Sequence, residues 1–361
     1  MKCSNCQSEV SLRERKCPKC GALLFALSGR TDLASSLENT LSARVEEQMR
    51  GLTERTQARM GKLSGGANPP REAPGVSATA RSTPSAATGL EALLRPQAEE
   101  FDTATGIVLA SAFIQQNGDY ASKARQIKFY FTANESTFNA YALKGPMQLE
   151  NGAVIRPPAV VFLGGFANAI YLVSVSVTTY LKDRLDSTLR FTYQDIGRAI
   201  VAGGGRFAIE DSIRIFDRVL KFKTAELLRQ EGEAAFRATR ALRTSMYLYT
   251  LAHEVGHIVL GHTRGDDPNL DVSRNQEREA DSFAASVLST CPDREFHFLG
   301  GALSEALLVW VHRAAGDPAP GTHPASRERF SSFIKSNSEA AQEAAHAFGL
   351  DQRRLEGLLP L

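Results

Sequence analysis

Between Arg156 and Lys182 the chain carries no charged residue, and the stretch Pro158 to Leu181 (PAVVFLGGFANAIYLVSVSVTTYL) has to leave water wherever it folds. A run of this length suffices to cross a bilayer, which needs about 20 apolar residues. Asn168 in its middle, Gly164 and Gly165, and its Ser and Thr residues dilute the hydrophobicity, so a buried core segment is favoured over a membrane span. Its alternating VSVSV reads as strand rather than helix. Burying such a segment internally requires a sizeable domain, and 361 residues provide one with smaller attachments. The net charge of +2 selects neither nucleic acid nor an anionic membrane as partner. No basic region followed by an apolar one opens the sequence, so a cytoplasmic protein is expected.

Three regions separate by composition. Residues 1–25 are rich in cysteine. Residues 26–90 begin with a segment that could form an exposed helix, Asp32 to Met60, and continue into a Gly, Pro, Ser, Thr and Ala-rich stretch. That stretch buries too little apolar surface to offset its ordering entropy and reads as a linker. Residues 91–361 look globular. Within them Gln126 to Thr132 reads as a strand, and Arg237 to His262, Arg274 to Leu288 and the chain from Arg327 onward read as helices. The expected fold is α+β, a mainly helical domain with a small β-sheet.

The first helix carries His253-Glu254-Val255-Gly256-His257. Histidines four apart lie about 40° apart around a helix, so both rings reach one metal ion. Glu254, about 100° from His253, can stand close to that ion without binding it, as a general base on water requires. The surrounding LYTLAHEVGHIVLGH is apolar, and buried ring nitrogens need partners. A catalytic zinc takes three protein ligands and keeps one position open. His262 is five residues past His257 and falls off its face, so it reads as a helix-end residue. Glu277 and Asp281, four apart on the next helix, share a face: one can bind zinc while the other accepts a hydrogen bond from a ligand histidine. Glu279 points about 160° away from Glu277 and is the weaker candidate; a solvated charged helix is the plain alternative for the whole segment.

His253 to His262 followed by Glu277-Arg-Glu-Ala-Asp281-Ser-Phe283 resembles the gluzincin metallopeptidases, and among them the CAAX prenyl protease and HtpX family. The resemblance implies a zincin-type fold, Glu277 as third zinc ligand and Asp281 as its neighbour's hydrogen-bond partner. Asn139-Ala140-Tyr141-Ala142-Leu143 is similar to the family's segment leading into the edge strand that binds substrate, and His323-Pro324 to Arg329 to its late H-P-x-x-x-x-R segment. This implies a catalytic role for His323 or Arg329 beside the zinc, orienting ligands or steadying the oxyanion. A peptide substrate would then add as a strand beside Tyr141. The 113 residues between Asn139 and His253, with Gly203-Gly204-Gly205 among them, exceed what compact members need and read as an insertion.

Cys3-x-x-Cys6 and Cys17-x-x-Cys20 are two knuckles that can supply four thiolates to a structural zinc, and residues 1–25 resemble a zinc ribbon. Two zinc ions are therefore expected, one catalytic and one structural. Lys2, Arg13, Arg15, Lys16 and Lys19 make the ribbon basic, so it suits a protein partner or, on weaker grounds, nucleic acid. The expected function is a zinc-dependent endopeptidase acting on protein or peptide. The rival is a regulatory ribbon protein whose protease domain acts rarely or on a trigger.

Overall fold

The computed structural model describes residues 98–149, 152–180, 187–262, 270–291, 294–316 and 326–336. The cysteine knuckles, the linker and His323 lie outside them. The described residues open with α1 (Ala98–Ala110), α2 (Ala112–Gln116) and α3 (Gly118–Ala124). Strands β1 (Lys128–Thr132), β2 (Ala140–Ala142), β3 (Met147–Gln148), β4 (Val154–Ile155) and β5 (Ala159–Leu163) follow. Then come α4 (Gly164–Tyr180), α5 (Ser187–Ala202), α6 (Ile209–Ile215), a π-helical turn (Phe216–Leu220) and α7 (Lys221–Glu231). The long α8 (Glu233–Val259), α9 (Leu270–Ser289), α10 (Arg294–Ala314) and α11 (Ser326–Ser336) complete them.

The uncharged run supplies both the central strand and a central helix. β5, AVVFL, is buried at all five positions between β1, parallel to it, and β2, antiparallel to it. A strand covered on both faces reads as a continuous apolar run, as this one does. The VSVSV segment, expected as strand, is helical within α4. Alternation marks a strand only where one face meets water, and α4 is buried on every side from Gly164 to Thr179. Two of its hydroxyls turn back onto the helix: Ser174 Oγ donates to the Tyr171 carbonyl at 2.7 Å and Thr178 Oγ1 to that of Ser174 at 2.9 Å. No described helix is long and apolar enough to cross a membrane.

The axis of the domain is α8, about 40 Å long at 1.5 Å per residue. Every residue from Leu242 to His253 is buried. α1, α4, α9 and α10 pack around it. Glycines set the closest approaches. A Cβ at Gly300 of α10 would lie 2.3 Å from Ser245 Oγ, and one at Gly256 would lie 3.2–3.3 Å from Phe283 and Ala280 of α9. The glycine of H-E-V-G-H is thus where α8 and α9 touch. Nearer the middle of α8, the buried Arg243 donates to Glu100 of α1 at 2.8 Å and lies over the Tyr171 ring. Phe162 of β5 packs edge-on against Tyr247 of α8 with centroids 4.9 Å apart, joining sheet to helix.

The residues between Asn139 and His253, expected to carry an insertion, form β2 to β5, α4 to α7 and most of α8, and α4 belongs to the core itself. Gly204 and Gly205, at φ 62° and 86°, make the left-handed turn that lets residues 205–207 pair with 136–138. Phe138 N–H donates to the Gly205 carbonyl at 2.9 Å, and Phe207 N–H to that of Ser136 at 2.7 Å. The glycine triplet therefore fastens the chain just ahead of β2.

Candidate metal centre

His253 and His257 project from α8 and Glu277 from α9, all three buried. His253 Nε2 and His257 Nε2 are 3.1 Å apart; Glu277 places Oε2 3.5 Å from the first and Oε1 3.4 Å from the second. Metal–ligand bonds of about 2.0–2.1 Å in a tetrahedron put ligand atoms roughly 3.3 Å from one another. The donor set and its spacing therefore fit a divalent ion such as zinc, and this is the group of His, Cys, Asp and Glu among the described residues whose atoms converge this way. Glu279 is not among them; its side chain is half exposed.

The two rings differ in charge. Burial lowers the pKa of His257, with the neighbouring His253 acting in the same sense, to about 3, so its ring is neutral and ready to donate an electron pair. Burial also works against a proton on His253, but hydrogen bonds to Asp281 and Glu277 outweigh it and raise the pKa to about 10.

Behind His253 stands a network of buried charge. Its Nδ1 is 2.9 Å from Asp281 Oδ1. Arg329 of α11 donates to Asp281 through Nε at 2.9 Å and Nη2 at 2.6 Å, and Nη2 also reaches Glu305 of α10 at 3.2 Å. Its Nη1 is 3.5 Å from Glu277 Oε2. Tyr249 OH donates to Glu305 at 2.8 Å. Burial raises the Glu305 pKa, whereas the Arg329 guanidinium and His253 hold Asp281 well below the usual carboxylate range against its burial. Arg329 thus touches the carboxylates that orient the triad. Glu305 had no signal in the sequence, since it lies within an ordinary apolar helix and meets Arg329 only in the fold.

Behind His257 lies a different arrangement. His262 is buried, with Nδ1 3.3 Å from His257 Nδ1 and Nε2 2.8 Å from Glu279 Oε2. Helical phase puts His262 off the ligand face, but α8 ends before it. His262 N–H donates to the His257 carbonyl at 2.8 Å and Gly261 N–H to that of Ile258 at 3.2 Å, with Gly261 at φ 82°. These two bonds make the glycine-capped helix end that doubles the chain back, and the reversal returns His262 to His257.

Glu254, half-buried, accepts from the Ala142 N–H of β2 at 2.6 Å. Burial raises its pKa, with Glu277 adding to the effect against His253 and the Ala142 N–H, to about 7. Asn139, Ala140 and Tyr141 sit at the start of β2, where Asn139 Oδ1 accepts from the Ala140 N–H at 2.9 Å. Leu163 N–H donates to the Asn139 carbonyl, and Leu143 N–H to that of Ala159, so these groups face β5. By alternation Ala140 and Ala142 turn theirs to the open edge. The structure thus brings His253, Glu254, His257, Glu277, Asp281, Arg329 and the β2 edge together.

Searches of curated proteins and of solved structures gave no match. Residues 222–349 match the model of the Peptidase U49 family. That segment includes α8 to α11, and hence the triad with the charged groups behind it, so the part of the chain that forms the buried His-His-Glu site is similar to a family of peptidases.

Proposed function

We propose that the chain is a zinc-dependent endopeptidase of the gluzincin type, with His253, His257 and Glu277 as ligands and Glu254 as general base. The observation that carries this reading is the position of Glu254, beside the triad on one side and bonded to the open strand edge on the other. Zinc bound here would supply Lewis acidity to the attacking water and the scissile carbonyl. Glu254 takes the proton of that water and delivers it to the departing amine, so one C–N bond breaks as one C–O bond forms. A pKa near 7 suits a group that must both accept and release a proton at neutral pH. The substrate strand pairs with the outward carbonyls of Ala140 and Ala142, whose amides are held by Asn139 and Glu254, which sets the scissile bond against Glu254. Arg329 serves by orienting Glu277 and Asp281.

The test is zinc content and hydrolysis of an unfolded protein substrate by the full chain and its Glu254→Gln and Glu277→Ala variants. Glu254→Gln should keep the zinc of wild type and lose hydrolysis by at least about 100-fold. Glu277→Ala should lose one zinc and the activity with it. Hydrolysis that survives Glu254→Gln would overturn the assignment.

A further inference from the structure

We propose that Glu279 and His262 are positioning residues for the second ligand histidine, forming a carboxylate–histidine–histidine relay that fixes the His257 tautomer and strengthens its hold on a metal ion. The proposal rests on the reading of His253, His257 and Glu277 as a metal site.

The proton inventory leads to it. His257 Nε2 faces His253 Nε2 and Glu277 Oε1 at 3.1 and 3.4 Å, so it is the nitrogen turned toward the ion. A neutral ring that gives this nitrogen to a metal carries its hydrogen on Nδ1. That hydrogen needs an acceptor in a buried place, and His262 Nδ1 stands 3.3 Å away. An accepting nitrogen has no hydrogen of its own, so the His262 hydrogen sits on Nε2. There it meets Glu279 Oε2 at 2.8 Å, the length of a charge-assisted bond. Asn275 Nδ2 donates to the other carboxylate oxygen at 2.6 Å and holds it in place. One tautomer of each ring satisfies every bond, and the line ends on a negative charge.

Such a line has a defined effect. A carboxylate behind a ligand ring raises the ring's basicity and sets its direction, and losing such a partner costs about 10–100-fold in metal affinity. His253 has its carboxylate directly, in Asp281; His257 has one at the end of an intervening ring. Two elements are required for this, the left-handed Gly261 that returns His262 to the helix end and Glu279 on α9 within reach of it. The Glu279 side chain is 50% exposed, so the relay reaches from the buried triad to solvent.

Zinc affinity of the full chain, measured by chelator competition, tests the relay without any assay of catalysis. Zinc at this site is the portion absent from His253→Ala. His262→Leu should weaken it about 10–100-fold. His262→Asn leaves an acceptor oxygen near the position of Nδ1 and should stay within about fivefold of wild type, which a packing role for the ring does not predict. Glu279→Ala should fall between them. Wild-type affinity in His262→Leu, or an equal loss in His262→Asn and His262→Leu, would overturn the relay. If the metal-free melting temperature shows that the His262 variants misfold, the half-exposed Glu279→Ala decides: unchanged affinity there refutes the proposal. A wild type that holds no more zinc than His253→Ala would remove the metal site itself.

Discussion

The two histidines of the triad are one helical turn apart, yet their surroundings are built on different plans. His253 backs onto Asp281, Arg329, Glu305 and Tyr249, contributed by α9, α11, α10 and α8, in a largely buried network. His257 backs onto His262 and the half-exposed Glu279. The first arrangement ties the metal site to the packing of four helices; the second needs only a helix end and one surface side chain. Damage to the first should therefore appear as a large loss of stability as well as lost metal, and damage to the second chiefly as lost metal.

The largest effect expected from this contrast is that of Arg329→Met. Removing the guanidinium leaves Asp281 and Glu305 buried without their cation, and breaking such a group from one side costs about 3–5 kcal/mol. Urea unfolding of the metal-free protein measures it. A loss below about 1 kcal/mol would show that the network is not a unit and that the two sides do not differ as described.

A smaller effect separates the rings by pH. In the metal-free protein the His253 pKa is raised to about 10, and that of His257 is lowered to about 3. Zinc must then displace a proton from His253 but none from His257. Apparent zinc affinity should rise about tenfold per pH unit on this account and level off near pH 10. The sign for folding is opposite. A raised histidine pKa stabilises the metal-free fold fully below its ordinary value of 6.5, and that contribution is lost as pH rises through about 10. Asp281→Asn removes the main support for the proton and should flatten the affinity slope. An affinity unchanged between about pH 7 and 9 would remove the distinction between the rings.

The same contrast explains what the sequence disclosed. His253, Glu254 and His257, and the shared face of Glu277 and Asp281, follow from helical phase alone, because α8 and α9 are regular where those residues lie. The β2 segment and Arg329 came from resemblance, since a three-residue strand and a lone arginine carry no periodic signal of their own. Phase keeps His262 out of the triad, as observed, but says nothing of the chain beyond the helix end, where the Gly261 turn brings His262 to the back of His257 and Glu279 with it. The VSVSV run failed for a related reason: with no solvent-facing side, the period of a buried helix is not written in its polarity.

Gly261→Ala should produce the smallest change and bears most directly on the shallow side. A Cβ at this position meets nothing within 4 Å, so sterics with neighbours contribute nothing. What remains is the backbone at φ 82°, which an L-residue occupies at a cost of about 1–2 kcal/mol. The chain can relieve that cost by unwinding the helix end, and doing so draws His262 away from His257. A stability loss of about 1 kcal/mol should therefore come with weaker zinc binding, while the pH slope contributed by His253 stays as in wild type. If Gly261→Ala lowers stability but leaves zinc affinity untouched, the turn closes the helix without serving the metal site. If it changes the pH slope, the two sides communicate, and the separation drawn between them is wrong.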